Sequence, residues 1–262
     1  YPSNFLENFI DRMGPFFNRI FTPVRFRRTS DKTEKLAHLV IPLTVLAGVI
    51  FAVVVAIRRE TPSLIVRALL YSLLFLMLQY CAVKMFKLAR KLIGDSLERV
   101  NSDTLINVPA AVCGTAGIVW FISDMLQISQ YGVGRFLDSL SSFIFLIATA
   151  LILANFRSLN VTVDTQTGIG ETALSLLALI AKGILALLPI LFCLFNIFAL
   201  IEMIVAVCQV SSTYSFMDGE TLGLTAARTL FIALLLPLFG VLGYQLVRLI
   251  LELLGAIINR KQ

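Results

Sequence analysis

Residues 178–205, ALIAKGILALLPILFCLFNIFALIEMIV, hold one lysine and one glutamate in 28 otherwise almost wholly apolar positions. Lys182 and Glu202 are 20 residues apart, which at 1.5 Å per residue is about 30 Å, one hydrocarbon thickness. Two folds compete for this stretch. In one, a single helix carries the two charges to opposite membrane edges, where each snorkels to water and neither reaches the other. In the other, a helical hairpin breaks near Pro189. It has only about 36 mostly apolar residues, Thr172 to Val207, which is too few for two full crossings but enough for a re-entrant loop. The single helix is the simpler expectation.

Composition carries the same message through the whole chain. Of its 262 residues, 58% are hydrophobic and 15% charged, and the mean hydropathy is +0.89, whereas soluble domains are about 45–50% apolar. Long unbroken Leu/Ile/Val/Phe/Ala runs without period-2 alternation favour helices over a β-barrel. Cys81, Cys113, Cys193 and Cys208 lie in or at the end of such runs and read as small buried hydrophobes. The start at Tyr1 rather than Met fits a fragment or a processed product, and the opening residues lack the basic and apolar regions of a cleavable signal peptide.

The expected fold is all-α and polytopic, with about six transmembrane helices. The spans run over about 36–57, 63–83, 104–127, 137–156, 173–207 and 222–250, forming a single transmembrane domain over 31–262 behind an interfacial amphipathic segment, 1–30. With six spans and a cytoplasmic N-terminus, 17 of the 22 Lys/Arg fall on inside flanks and 5 outside. That asymmetry places both termini in the cytoplasm. The residues 209–221, QVSSTYSFMDGET, contain no basic residue, as an external loop should. A glycosylation tripeptide at Asn160 falls in a loop expected inside, so sugar on it would invert the topology.

The N-terminal segment is patterned for a membrane surface. Phe9, Ile10, Met13, Phe16, Phe17, Ile20 and Phe21 project within an arc of about 160° at 100° per residue, opposite Glu7, Asp11, Arg12 and Arg19. Pro15 kinks or splits this helix, and packing on protein instead of lipid is the alternative. The run RFRRTSDKTEK follows, so Arg25, Arg27 and Arg28 are candidates for anionic headgroup contacts. Lys84, Lys87 and Lys91, in the basic extension KMFKLARKLIGDSLERV after the second span, are candidates of the same kind.

No catalytic or cofactor chemistry is visible. His38 is the only histidine, which excludes His-rich metal centres and paired-histidine haem ligation. There is no H-E-x-x-H, G-x-S-x-G or Walker loop. No catalytic residue, cofactor or metal is therefore expected, nor any nucleic-acid partner. Ionisable groups fall mainly at span edges: Lys182, Glu202 and Arg248 read as edge markers. Pro189, Asn196 and Arg228 are the candidates for pore lining or helix packing. Gly240 and Gly243 with Gly223 are sites where helices could approach closely. Three functions remain: a channel-type or bilayer-force-coupled module, a structural subunit of a larger membrane complex, and a solute transporter. The first is the expectation. Its partners are lipids with anionic headgroups on the cytoplasmic side and other copies of the chain or other membrane subunits.

Overall fold

The computed structural model describes residues 23–95, 97–126, 128–165, 168–212 and 216–259, of which 23–27, 128–138, 169 and 258–259 are described by backbone alone. Six α-helices account for nearly all of it: α1 Pro23–Arg58, α2 Ser63–Asp95, α3 Thr104–Leu126, α4 Ile128–Ala154, α5 Ile169–Ser211 and α6 Phe216–Asn259. Five of these, all but α4, are long and apolar enough to cross a membrane. In α4 the described side chains add a shorter apolar stretch, Ser139–Ala154. Two three-residue strands, β1 Glu98–Val100 and β2 Val161–Val163, and a 3-10 turn, Phe156–Leu159, complete the elements of the described residues. The expected interfacial segment, residues 1–30, falls outside the described residues up to 22, and from Pro23 the chain is already in α1.

Local chemistry explains the helix ends. Pro23 opens α1, where its fixed φ suits a helix and its missing N–H costs nothing. Arg59 N donates to Val55 O, and Thr61 N reaches back to Ala56 O at 3.0 Å. That six-to-one bond is a Schellman closure, and it puts Glu60 in the left-handed region at φ 53°, a position that normally selects glycine. Pro62 follows and cannot continue the helix. α2 then runs 33 residues, about 50 Å, so it outlasts a single hydrocarbon crossing, as the basic extension predicts. Lys84, Lys87 and Lys91 are exposed along it, while Phe86, Ala89 and Leu92 are buried. The helix stops at Asp95 rather than carrying on to Val100, because Glu98–Val100 pairs as a strand instead.

α5 is one helix of 43 residues with Pro189 inside it, so the hairpin alternative is not the fold adopted. α6 likewise continues through Pro237. The chain divides into two compact units. One is built around Ala89–Leu187 and the residues from Leu242 onward, the other from Ser30–Leu88 and Leu188–Val241.

In the first unit, α3 and α4 form an antiparallel hairpin. Ile106, Ala110, Ala111, Gly114 and Gly117 make the buried seam of α3, with spacings of three and four that keep them on one face. Ala110 clusters with Ala154 of α4, and a Cβ on Gly117 would stand 3.1 Å from Leu146 Cβ. Small residues let helix backbones approach in lipid, where no hydrophobic force drives them together. This seam replaces part of the one read from the C-terminal glycines: Gly243 has nothing within 4 Å of its Cβ position.

The second unit does use Gly223 and Gly240 as close approaches. A Cβ on Gly223 would overlap the Phe51 ring, and one on Gly240 the Leu188 side chain. Arg58 donates to the carbonyls of Ser211 at 2.6 Å and Ser212 at 3.0 Å, satisfying orphan acceptors at the negative end of α5. Arg59 pairs with Glu220 near the start of α6, and both guanidiniums lie over the Phe216 ring at 5.6 and 5.9 Å. One end of this unit is thereby pinned by two consecutive arginines.

Large apolar side chains cover the outside. Leu39, Leu70, Leu73, Met77, Val119, Phe239 and Leu246 are all exposed, and no residue of the most apolar window of α2 is buried. Cys193 is buried as expected, but Cys81 and Cys208 face outward, on surfaces that a helix core would not leave bare.

Candidate functional site

Two concavities bring together residues that are remote in sequence. In the first unit, β1 and β2 pair in parallel with Glu98 opposite Val161 and Val100 opposite Val163. Side chains alternate along a strand, so Glu98 shares a face with Val100, which is fully buried, while Arg99 turns outward to Asp164 at 3.6 Å. The inward carboxylate meets Lys182. The Lys182 Nζ lies 3.6 Å from Glu98 Oε1 and donates to Leu159 O at 3.2 Å, at the end of the 3-10 turn where carbonyls lack helical partners.

Lys182 is 0% exposed, so the expectation that it snorkels to water is not met. The protein supplies the anion and the acceptor that water would have given. Its partners lie just past the ends of α2 and α4, so the ammonium stands level with helix ends. Glu202, the other charge of the opening stretch, accepts from Thr229 Oγ1 at 3.2 Å. Beside the Lys182–Glu98 pair is a cleft of about 370 Å³ bordered by Glu171, Ser175, Tyr244, Arg248 and Glu252. Arg248 is bridged to Glu252 one turn on, at 3.0 Å. With carboxylates and guanidiniums both present, this cleft has no strong charge preference.

The second unit contains a larger cavity of about 810 Å³, within the range of ligand sites. Its walls come from α1, α2, α5 and α6, including Phe51, Phe75, Met203 and Phe231, and Arg67, Glu220 and Arg228 are its charged members. Its deeper hydroxyls are spent within their own helices: Thr44 donates to Val40 O at 3.1 Å and Ser72 to Ala68 O at 2.7 Å. Glu220 is taken by Arg59. Arg67 and Arg228 have no such partner among the described residues.

Of the three pore or packing candidates, Arg228 borders one of these two concavities. Asn196 is fully buried, with its Nδ2 donating to Phe192 O at 2.6 Å and its Oδ1 lacking a hydrogen-bond partner. Pro189 is buried too, and neither borders the two concavities. His38 packs against Phe86 and Phe192 at ring separations of 6.3 and 5.3 Å, while its backbone carbonyl accepts from Gln79 at 2.9 Å. Among the residues expected at headgroups, Arg28 is exposed, while the side chains of Arg25 and Arg27 lie outside the described ones. Asp124 is held one turn away by the Trp120 indole N–H at 3.1 Å. Among the described residues no three His, Cys, Asp or Glu side chains are grouped as a metal site requires.

Glu98 and Arg67 are the residues of these candidate sites that sequence reasoning passed over, the first read as part of a helix and the second as a span boundary. A usable signal for Glu98 was the β-branched run VTV directly after Asn160.

Six long helices with an outward apolar surface define a helical integral membrane protein. No protein-family model, curated protein or solved structure matches the chain, so its role is argued from this geometry.

Proposed function

We propose that the chain is a non-enzymatic, bilayer-force-coupled membrane module of the channel type, working as an oligomer of itself. The single observation that carries this reading is the 810 Å³ cavity with apolar walls in the second unit. A void of that size among lipid-facing helices gives the unit two packings, filled and collapsed, that differ in the area they occupy in the bilayer. Membrane tension favours the state of larger area, so any difference in affinity of lipid for the two packings becomes a difference in their populations. The outward apolar surface of α2 transmits lateral force to the same unit.

The test is electrical. Protein reconstituted in liposomes and held in a patch pipette is expected to give unitary currents that rise with suction and vanish in protein-free patches. Silent patches at tensions near lysis sink the channel reading. They leave the second one, a subunit of a larger membrane complex, which the wholly unburied apolar window of α2 also suits. The transporter reading has less support, because Lys182, the one fully buried ammonium among the described residues, is held by a strand carboxylate and a 3-10 carbonyl beside helix ends.

A further inference from the structure

We infer that the cavity of the second unit holds one anionic phospholipid, with an acyl chain among Phe51, Phe75 and Phe231 and the phosphate on Arg67 and Arg228. This deepens the bilayer-coupled reading and rests on it.

Most of the cavity wall is apolar, and the Thr44 and Ser72 hydroxyls already donate to carbonyls of their own helices. A polar solute placed against that wall would lose its water and gain few partners. The apolar wall therefore selects a hydrocarbon chain.

The mouth selects the opposite. Both arginines are exposed at the cavity wall. The pinned end of the unit, where Arg59 meets Glu220, gives a common level for measuring depth. At 1.5 Å per residue, Arg228 lies about 12 Å below Glu220 along α6, and Arg67 about 6 Å below Ser63 along α2. Long guanidinium side chains can bridge an axial offset of that size by snorkelling, and both line the same cavity. Glu220, the one carboxylate in the wall, is neutralised by Arg59, so the net field at the mouth is positive. Guanidinium pairs match phosphate oxygens in geometry as well as charge. An apolar slot beside two guanidiniums that have no carboxylate partner among the described residues fits an amphiphile with an acidic head, and neither a free anion nor a neutral oil satisfies both halves.

The experiment uses the full-length chain, purified in mild detergent and stripped of lipid by extended washing. Dioleoyl phosphatidylglycerol or dioleoyl phosphatidylcholine is added back, and bound lipid is read by native mass spectrometry. One phosphatidylglycerol per chain is expected to survive, with a preference of about tenfold over phosphatidylcholine, whose phosphate is offset by its own choline cation. The double substitution Arg67→Gln/Arg228→Gln, at exposed positions, is expected to erase that preference without changing the thermal melt. Ala227→Leu, which narrows the cavity, is expected to weaken retention of both lipids. Equal retention of the two lipids overturns the inference, as does a preference that survives the double substitution. Displacement of phosphatidylglycerol by millimolar inorganic phosphate reassigns the site to a free anion, and a tightly co-purifying protein in place of lipid reassigns it to a partner helix. Retention is read without any current. Silent patches with intact lipid selectivity therefore refute the channel alone, and tension-gated currents without selectivity refute the lipid site alone.

Discussion

Glu98 and Lys182 meet across the first unit with their charged atoms 3.6 Å apart, the lysine wholly enclosed and the glutamate side chain 19% exposed. The pair is asymmetric, and the asymmetry orders the effects of substitution. Glu98→Ala strands a buried cation and is expected to destabilise by about 2–3 kcal/mol, below the about 3–5 kcal/mol of a fully buried pair because the carboxylate is partly wet. Lys182→Met removes the buried charge itself and leaves an anion that water can reach, so it costs less. The double variant Glu98→Gln/Lys182→Met is expected to melt closer to the parent than Glu98→Ala does. Thermal unfolding in detergent ranks the three, and a Lys182→Met loss larger than the Glu98→Ala loss contradicts the burial assigned here.

The glycines of α6 are expected to respond in opposite directions. A Cβ on Gly219 would lie 2.7 Å from the backbone nitrogen of Val210, an atom that cannot swing aside, so Gly219→Ala costs about 1–3 kcal/mol through overpacking. Gly243 faces open space, and Gly243→Ala gains about 0.5–1 kcal/mol by removing backbone entropy from a helix interior. Paired melting curves decide the matter, and equal shifts for the two variants count against the close α5–α6 approach at this end.

Glu60 occupies the left-handed position of the α1 closure, where a side chain costs about 1–2 kcal/mol relative to glycine. Glycine gives back part of that gain by loosening the unfolded chain. Glu60→Gly is therefore expected to stabilise by about 0.5–1 kcal/mol, seen as a higher denaturation midpoint. A lower midpoint places some other interaction of Glu60 above the backbone strain.

The basic-residue asymmetry predicts sidedness. In a background with the four native cysteines replaced, a cysteine at Lys87 is expected to stay protected from an impermeant maleimide in intact cells and to react after permeabilisation. A cysteine at Asp218 is expected to react in both. The reverse pattern inverts the topology and reopens Asn160 as a glycosylation acceptor.

The spans were legible because an apolar run of about 20 residues between charges has few other stable placements. The continuous α5 through Pro189 followed from that length argument, and the protruding α2 from the spacing of Lys84, Lys87 and Lys91 beyond the apolar run. What the sequence concealed was of two kinds. Three-residue strands carry too little alternation to be seen, so LERV read as more helix until Val161–Val163 gave it a partner. Encounters such as Glu98 with Lys182, or the shared cavity wall of Arg67 and Arg228, depend on how helices pack, and span-edge bookkeeping treats each charge as if it faced lipid or water. Reading Lys182 as a snorkelling residue failed for that reason: its neighbour at the helix end is protein. The small-residue seam of α3 was present as Ala110, Gly114 and Gly117 but went unweighed beside the more conspicuous C-terminal glycines.

The parallel pairing of β1 with β2 also dictates an order of events during biogenesis. Parallel strands cannot join through a tight turn, so the whole α3–α4 hairpin must be threaded and folded back before Glu98 is fixed in place. Lys182 is synthesised after both strands, and an unpartnered ammonium in an apolar segment resists entry into hydrocarbon. In the finished fold the carboxylate that this ribbon presents gives α5 the counter-anion for an ammonium that is wholly enclosed.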